Sequence, residues 1–125
     1  MTTDAAEHAV ALHRDAVVID GVCPLLMDPA NVTYYMDGGL TAAVPTIAIR
    51  ETAEQTLRIF GRWHRFIEGH DRLRLARKAS DIEAAKQAGD MAIVFHFQGT
   101  DAVEDDLDLL DAYKALGLGM VQLTY

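Results

Sequence analysis

Few residues in this sequence combine a reactive side chain with a place where chemistry could gather, and those that do close apolar runs. Asp20 ends AVVID, His96 and Gln98 end MAIVFHFQ, and Tyr125 ends MVQLTY. A carboxylate and an imidazole brought together act as orienting partner and general base, or as two ligands of a metal that takes further donors from elsewhere. The competing reading makes Asp20 the cap of the turn after it and His96 a hydrogen-bonded core histidine. Both stand on the sequence.

The other residue types narrow the chemistry. There is no His-x-His or His-Glu-x-x-His pairing, and no serine lies in a nucleophile elbow. Cys23 is the only cysteine, so it forms no internal disulfide, and with no histidine near it in sequence it reads as a small apolar side chain. Glu104-Asp105-Asp106 with Asp108 reads as the solvated first turn of a helix, favoured there by the dipole, and not as a calcium loop.

These residues need elements to position them. Thr3 or Asp4, with Glu7, predicts the cap of a leading helix that ends near Arg14. Four runs then read as strands buried on both faces, near residues 16–20, 40–49, 91–97 and 120–125. Pro45 suggests a bulge or a strand end within the second. Thr52 and Gln55 form a capping box for a long helix with Leu57, Phe60, His64 and Ile67 on its inner stripe and Trp63 and Phe66 beside it, closed by Gly69. Ser80 and Glu83 cap a shorter helix before Gly89. Thr100 or Asp101 caps a last one with Val103, Leu107, Leu110 and Leu116 inward.

Helices alternating with doubly buried strands predict βαβ units and a parallel sheet. No glycine-rich phosphate motif follows any strand, which disfavours a nucleotide-binding open sheet. The expectation is one α/β domain over residues 1–125, the amino-terminal half of a (β/α)8 TIM-type barrel that stops on its fourth strand at Tyr125. Ligands of such folds approach the carboxyl ends of the strands. Strand alternation puts Asp20 and Val22 on one face of the first strand and His96 and Gln98 on one face of the third. That makes Asp20, His96 and Gln98 the candidate catalytic residues, with Asp101 and Tyr125 as candidate substrate contacts.

Eleven Lys and Arg against 19 Asp and Glu leave a net charge of −8, which repels nucleic acid and anionic membranes. No apolar run is long enough to cross a bilayer, and the first residues lack a signal-peptide pattern, so the expected location is cytoplasmic.

The segment AVVIDG, followed later by KASDIEAAKQAGDMAIVFHFQGTDAVEDDLDLLDAYKALGLGMVQLTY, resembles the amino-terminal half of the membrane (renal) dipeptidase family, the M19 metallopeptidases. The resemblance runs from about Ala16 to Tyr125. It implies a (β/α)8 barrel that hydrolyses dipeptides with two zinc ions at the carboxyl ends of its strands. In that family the first strand ends in Asp-x-His-x-Asp and the third in Glu-Gly, the His, second Asp and Glu being metal ligands. Here Asp20 matches the first Asp and Gly99 the Gly, whereas Val22, Pro24 and Gln98 occupy the three ligand positions. Valine and proline have no donor atom, and an amide bridges two cations far more weakly than a carboxylate.

Three expectations follow. The first is a dipeptidase-like hydrolase of dipeptides or related small amides, its metal site altered. The second is an inactive barrel that binds a small peptide or amide ligand. The third is a half-barrel completed by a partner, either a second copy or a missing carboxyl-terminal half.

Overall fold

A computed structural model describes residues 3–123, so the expectations for Thr124 and Tyr125 lie outside the described residues. The leading helix α1 spans Thr3–Asp15 and includes Thr3 and Asp4 within it, with Asp4 in its first turn and His13 and Arg14 in its last. That charge order suits the helix dipole. β1 is Ile19–Cys23, three residues later than the apolar run suggests, and Val17 and Ile19 are half-exposed rather than buried on both faces. Two short 3₁₀ turns led by Pro24 and Pro29, then α2 (Val32–Asp37), carry the chain to β2 (Ala42–Ala48).

Every residue of β2 is buried, as expected for a strand paired on both sides. Its Pro45 cannot donate to a ladder, and pairing slips on both flanks, between Asp20 and Cys23 of β1 and between Thr46 and Ala48. α3 (Ala53–Glu68) has the expected capping box, Thr52 Oγ1 accepting from Gln55 N–H at 3.3 Å and Gln55 Oε1 accepting from Thr52 N–H at 3.0 Å. Its buried stripe is Thr56, Phe60, Trp63 and Ile67, one position round from the predicted one, and Leu57 is half-exposed. His64 sits partly buried at the margin of that stripe, its Nε2 2.8 Å from Leu116 O.

β3 (Leu73–Leu75) is a strand that periodicity did not identify, since three residues offer a single alternation. α4 (Ala79–Ala88) begins one residue before Ser80, and its capping carboxylate is Asp81, which accepts N–H bonds from Arg77 (2.8 Å) and Lys78 (3.1 Å). The third predicted strand is interrupted at Val94 into β4 (Met91–Ile93) and β5 (Phe95–Phe97). A 3₁₀ turn at Asp101–Val103 follows, and α5 starts at Asp108 rather than at Thr100 or Asp101, running to Leu116. Of the predicted inner residues Val103 is buried, Leu116 packs on the core and Leu110 is partly buried, but Leu107 is exposed, and Tyr113 is the buried anchor of α5. β6 is Leu118–Val121, two residues earlier than predicted.

All pairings are parallel. β2 lies between β1 and the broken strand β4–β5, and on the far side β3 pairs with β4 while β6 pairs with β5. The staves β1, β2, β4–β5 and β6 thus stand side by side in chain order, the arrangement of half a β/α barrel.

One sheet face carries Ala43, Ile47, Ile93, Phe95 and Phe97 and packs on Phe60 and Trp63 of α3 and Tyr113 of α5. The Phe60 ring meets Phe95 edge-on at 5.3 Å and stacks on Tyr113 at 5.7 Å. The other face is shallow at its lower end, where Ala42 and Ala92 pack on Ala76 and on Ala85 of α4.

At the amino ends of the strands, three basic side chains hold the carbonyls of helix ends. His13 Nε2 lies 2.9 Å from Gly38 O after α2, Lys86 Nζ donates to Arg14 O of α1 at 2.6 Å, and Arg72 donates to Gly89 O after α4 at 2.8 Å. These carbonyls lie at the carboxyl-terminal ends of helices, where the dipole is negative and the Lys86 and Arg72 cations are favoured.

Candidate functional site

Asp20 lies mid-strand in β1 and registers with Ala43, a residue of the helix-packed face, and Cys23 registers with Pro45. The slip between them uses up one residue, so the alternation that would set Asp20 beside Val22 does not hold. Asp20 Oδ1 accepts from Val22 N–H at 3.4 Å, the turn-capping role among the two readings of this residue. Cys23 is fully buried, its sulfur accepting from Val44 N–H at 3.3 Å. Burial first, and the nearby Asp20 charge after it, push the thiol up to about 11, so it remains protonated at neutral pH.

His96 registers with Thr46, on the face opposite Ala43, and is 1 % exposed. Its Nδ1 lies 3.4 Å from Thr46 Oγ1, and burial lowers its pKa below the ordinary 6.5, leaving a neutral imidazole at pH 7. The arrangement matches the core-histidine reading. Among the described residues no hydrogen bond joins Asp20, His96 and Gln98 to one another. Gln98 follows β5 half-buried, its backbone N–H donating to Ala48 O at 2.8 Å.

What the fold does assemble at the carboxyl ends of β2, β5 and β6 is a cleft of about 320 Å³, lined by Ile49, Arg50, Gly99, Thr100, Asp101 and Leu123. Gly99 makes it possible. A Cβ at that position would stand 2.7 Å from Ile49 O, so only glycine lets the loop after β5 close onto the end of β2. Glu51 turns the other wall, its carboxylate accepting the N–H groups of Ile49 and Arg50. The cleft therefore holds a guanidinium and a carboxylate, Arg50 and Asp101. Asp101 is the one predicted substrate contact within the described residues, and it lines this cleft. The contribution of Glu51 as a local carboxylate cap was not apparent from its sequence, since nothing about a Glu after a strand signals the turn it closes.

A wider cleft of about 500 Å³ opens at the opposite end of the strands beneath α1, with His13, Arg14, Arg72 and Lys86 on its walls. It is lined by the side chains that hold the helix ends.

The residues present do not fit a binuclear zinc centre. Among the described residues no group of three or more His, Cys, Asp and Glu could hold a metal. Val22 and Pro24 are exposed at the end of β1 with no donor atom to offer.

The sequence model of one family, described as membrane dipeptidase (peptidase family M19), matches residues 6–125. No match is found among curated proteins. An amidohydrolase from Pseudomonas aeruginosa is 31% identical with a TM-score of 0.84, the alignment covering 93% of this chain and 36% of that one. The probable dipeptidase PvdM from the same organism is 18% identical, with a TM-score of 0.81 over 100% of this chain and 38% of its own. A metallo peptidase from Rhodobacter sphaeroides, liganded with a phosphinate mimic of the dipeptide L-Ala-D-Ala, is 19% identical with a TM-score of 0.70, over 84% and 44%. The chain thus spans less than half the length of each of these structures.

Proposed function

This chain belongs to the membrane dipeptidase family, peptidase family M19, and from that premise we propose that it takes part in binding and hydrolysing a dipeptide or related small amide at the carboxyl ends of its strands. The family match over residues 6–125 carries the reading. The chemistry of the cleft supports it. A dipeptide is a zwitterion, with a carboxylate at one end and an ammonium at the other. Arg50 offers a planar fork suited to the first, and Asp101 offers an anion suited to the second, on the walls of one cleft.

The residues described here bind and orient. His96 is neutral and sealed in the sheet, so it does not reach a ligand as general base. Water activation by metal is not assigned to this stretch, because its donor set does not fit the zinc pair. The substitutions Val22, Pro24 and Gln98 favour a second reading, a barrel that holds a small peptide or amide without cleaving it.

The test takes the longest natural gene product containing this sequence, analyses its metal content, and measures L-Ala-D-Ala turnover with zinc, manganese or iron added. A phosphinate dipeptide mimic is titrated by calorimetry in parallel. Turnover with bound metal supports the hydrolase. Tight binding of the mimic without turnover replaces it with the second reading, and neither binding nor turnover rejects both.

A further inference from the structure

Among the described residues Glu104 is the one non-glycine residue with positive φ, at φ 53° and ψ −138°. An L side chain in that region crowds its own backbone, and the conformation persists where the surroundings over-determine it. Two bonds do so here. Glu104 N–H donates to Asp101 O at 3.0 Å and closes the turn after β5. The Glu104 carboxylate accepts from Ala53 N–H at 3.0 Å, across 51 residues of chain.

Ala53 is the first residue of α3, where N–H groups lack helical partners and the dipole favours an anion. The capping box already serves Thr52 and Gln55. Glu104 takes the neighbouring donor that the box leaves. The acidic run that reads as a solvated turn therefore has one exposed member tied to the start of α3, and both ends of its bond lie close in sequence to residues of the cleft. Arg50 precedes Ala53 by three residues, and Asp101 precedes Glu104 by three.

We propose that Glu104 is a positioning residue, whose carboxylate clasps the loop after β5 to the start of α3 and so fixes Asp101 opposite Arg50. The role rests on the strand-end cleft being the ligand site. The clasp itself needs no ligand, so it can be tested without one and fails separately from the hydrolase reading.

Ala53→Pro removes the donor alone. Proline is accepted at the first helical position, and Thr52, at φ −67° and ψ 165°, already has the extended backbone that precedes proline. Glu104→Gly removes the carboxylate and relieves the backbone, while Glu104→Gln keeps an acceptor oxygen. Amide hydrogen exchange at Val103 and at position 104, whose N–H groups bond to Thr100 O and Asp101 O, reports the loop, and the amide shifts of Arg50 and Asp101 report the cleft. Ala53→Pro and Glu104→Gly are each expected to speed exchange by about tenfold, the size of one charge-assisted hydrogen bond. The double variant is expected to go no further, and Glu104→Gln to retain most of the protection. Unchanged exchange and shifts in Ala53→Pro, or effects that multiply in the double variant, would overturn the proposal.

Discussion

The functional candidates divide by what surrounds each side chain. His96 is buried beside Thr46, and burial lowers its pKa, so the unfolded chain takes up a proton before the folded one does. Its contribution to stability is intact above the ordinary histidine value of 6.5 and is lost as pH falls below it toward the depressed folded value. Denaturant midpoints measured from pH 7.5 to 5 are expected to fall across that window, and His96→Gln is expected to flatten the fall. Gly99 sits under the opposite constraint, since the carbonyl of Ile49 occupies the space of a side chain. Gly99→Ala is expected to lower unfolding free energy by about 1–3 kcal/mol, read by urea denaturation. The alanine also pushes the Asp101 loop off the end of β2, which the amide shift of Asp101 would register.

At the scale of elements, the strength of a pattern decided what was legible. The α3 capping box was readable because Thr52 and Gln55 satisfy two backbone donors by local spacing alone. Long apolar runs gave β2 and the β4–β5 strand, and glycines before strands gave the ends of α4 and α5. Misreadings arose where partners distant in sequence decide. β1 starts late because its pairing with β2 begins at Ile19↔Ala42, a fact of the neighbour and not of the run AVVI. β3 exists because β4 lies beside it. The site was less legible than the fold for the same reason. Asp20 and His96 align in a sequence pattern, but Asp20 registers with Ala43 and His96 with Thr46, on opposite faces of β2, while Arg50 and Asp101 line one cleft only because Gly99 allows two loops to touch. Within α3, Thr56 is fully buried and its hydroxyl has no hydrogen-bond partner among the described residues. Replacing it by the isosteric valine removes an unpaired polar group, so Thr56→Val is expected to raise stability by about 1 kcal/mol, seen as a higher urea midpoint at unchanged slope.

Over the whole molecule, the four staves leave two outer edges. Val17, Ile19, Leu25 and Tyr34 are half or more exposed around β1, and Met120 and Leu123 are exposed around β6. Unpaired parallel edges flanked by apolar side chains invite pairing with another chain. The 125-residue chain prepared alone is therefore expected to associate with rising concentration in sedimentation velocity. A sharp monomer boundary at all concentrations would contradict this. No described helix is long and apolar enough to cross a membrane.

The ties made by His13, Lys86 and Arg72 gather at the amino ends of the strands, far along the sheet from Arg50 and Asp101. These fastenings and the strand-end cleft thereby lie at opposite poles of one sheet. A change at the strand-end cleft does not loosen the fastenings at the other end, so Val22, Pro24 and Gln98 are accommodated there while the staves keep their order. The architecture tolerates a change of side chains at the cleft without a change in strand order.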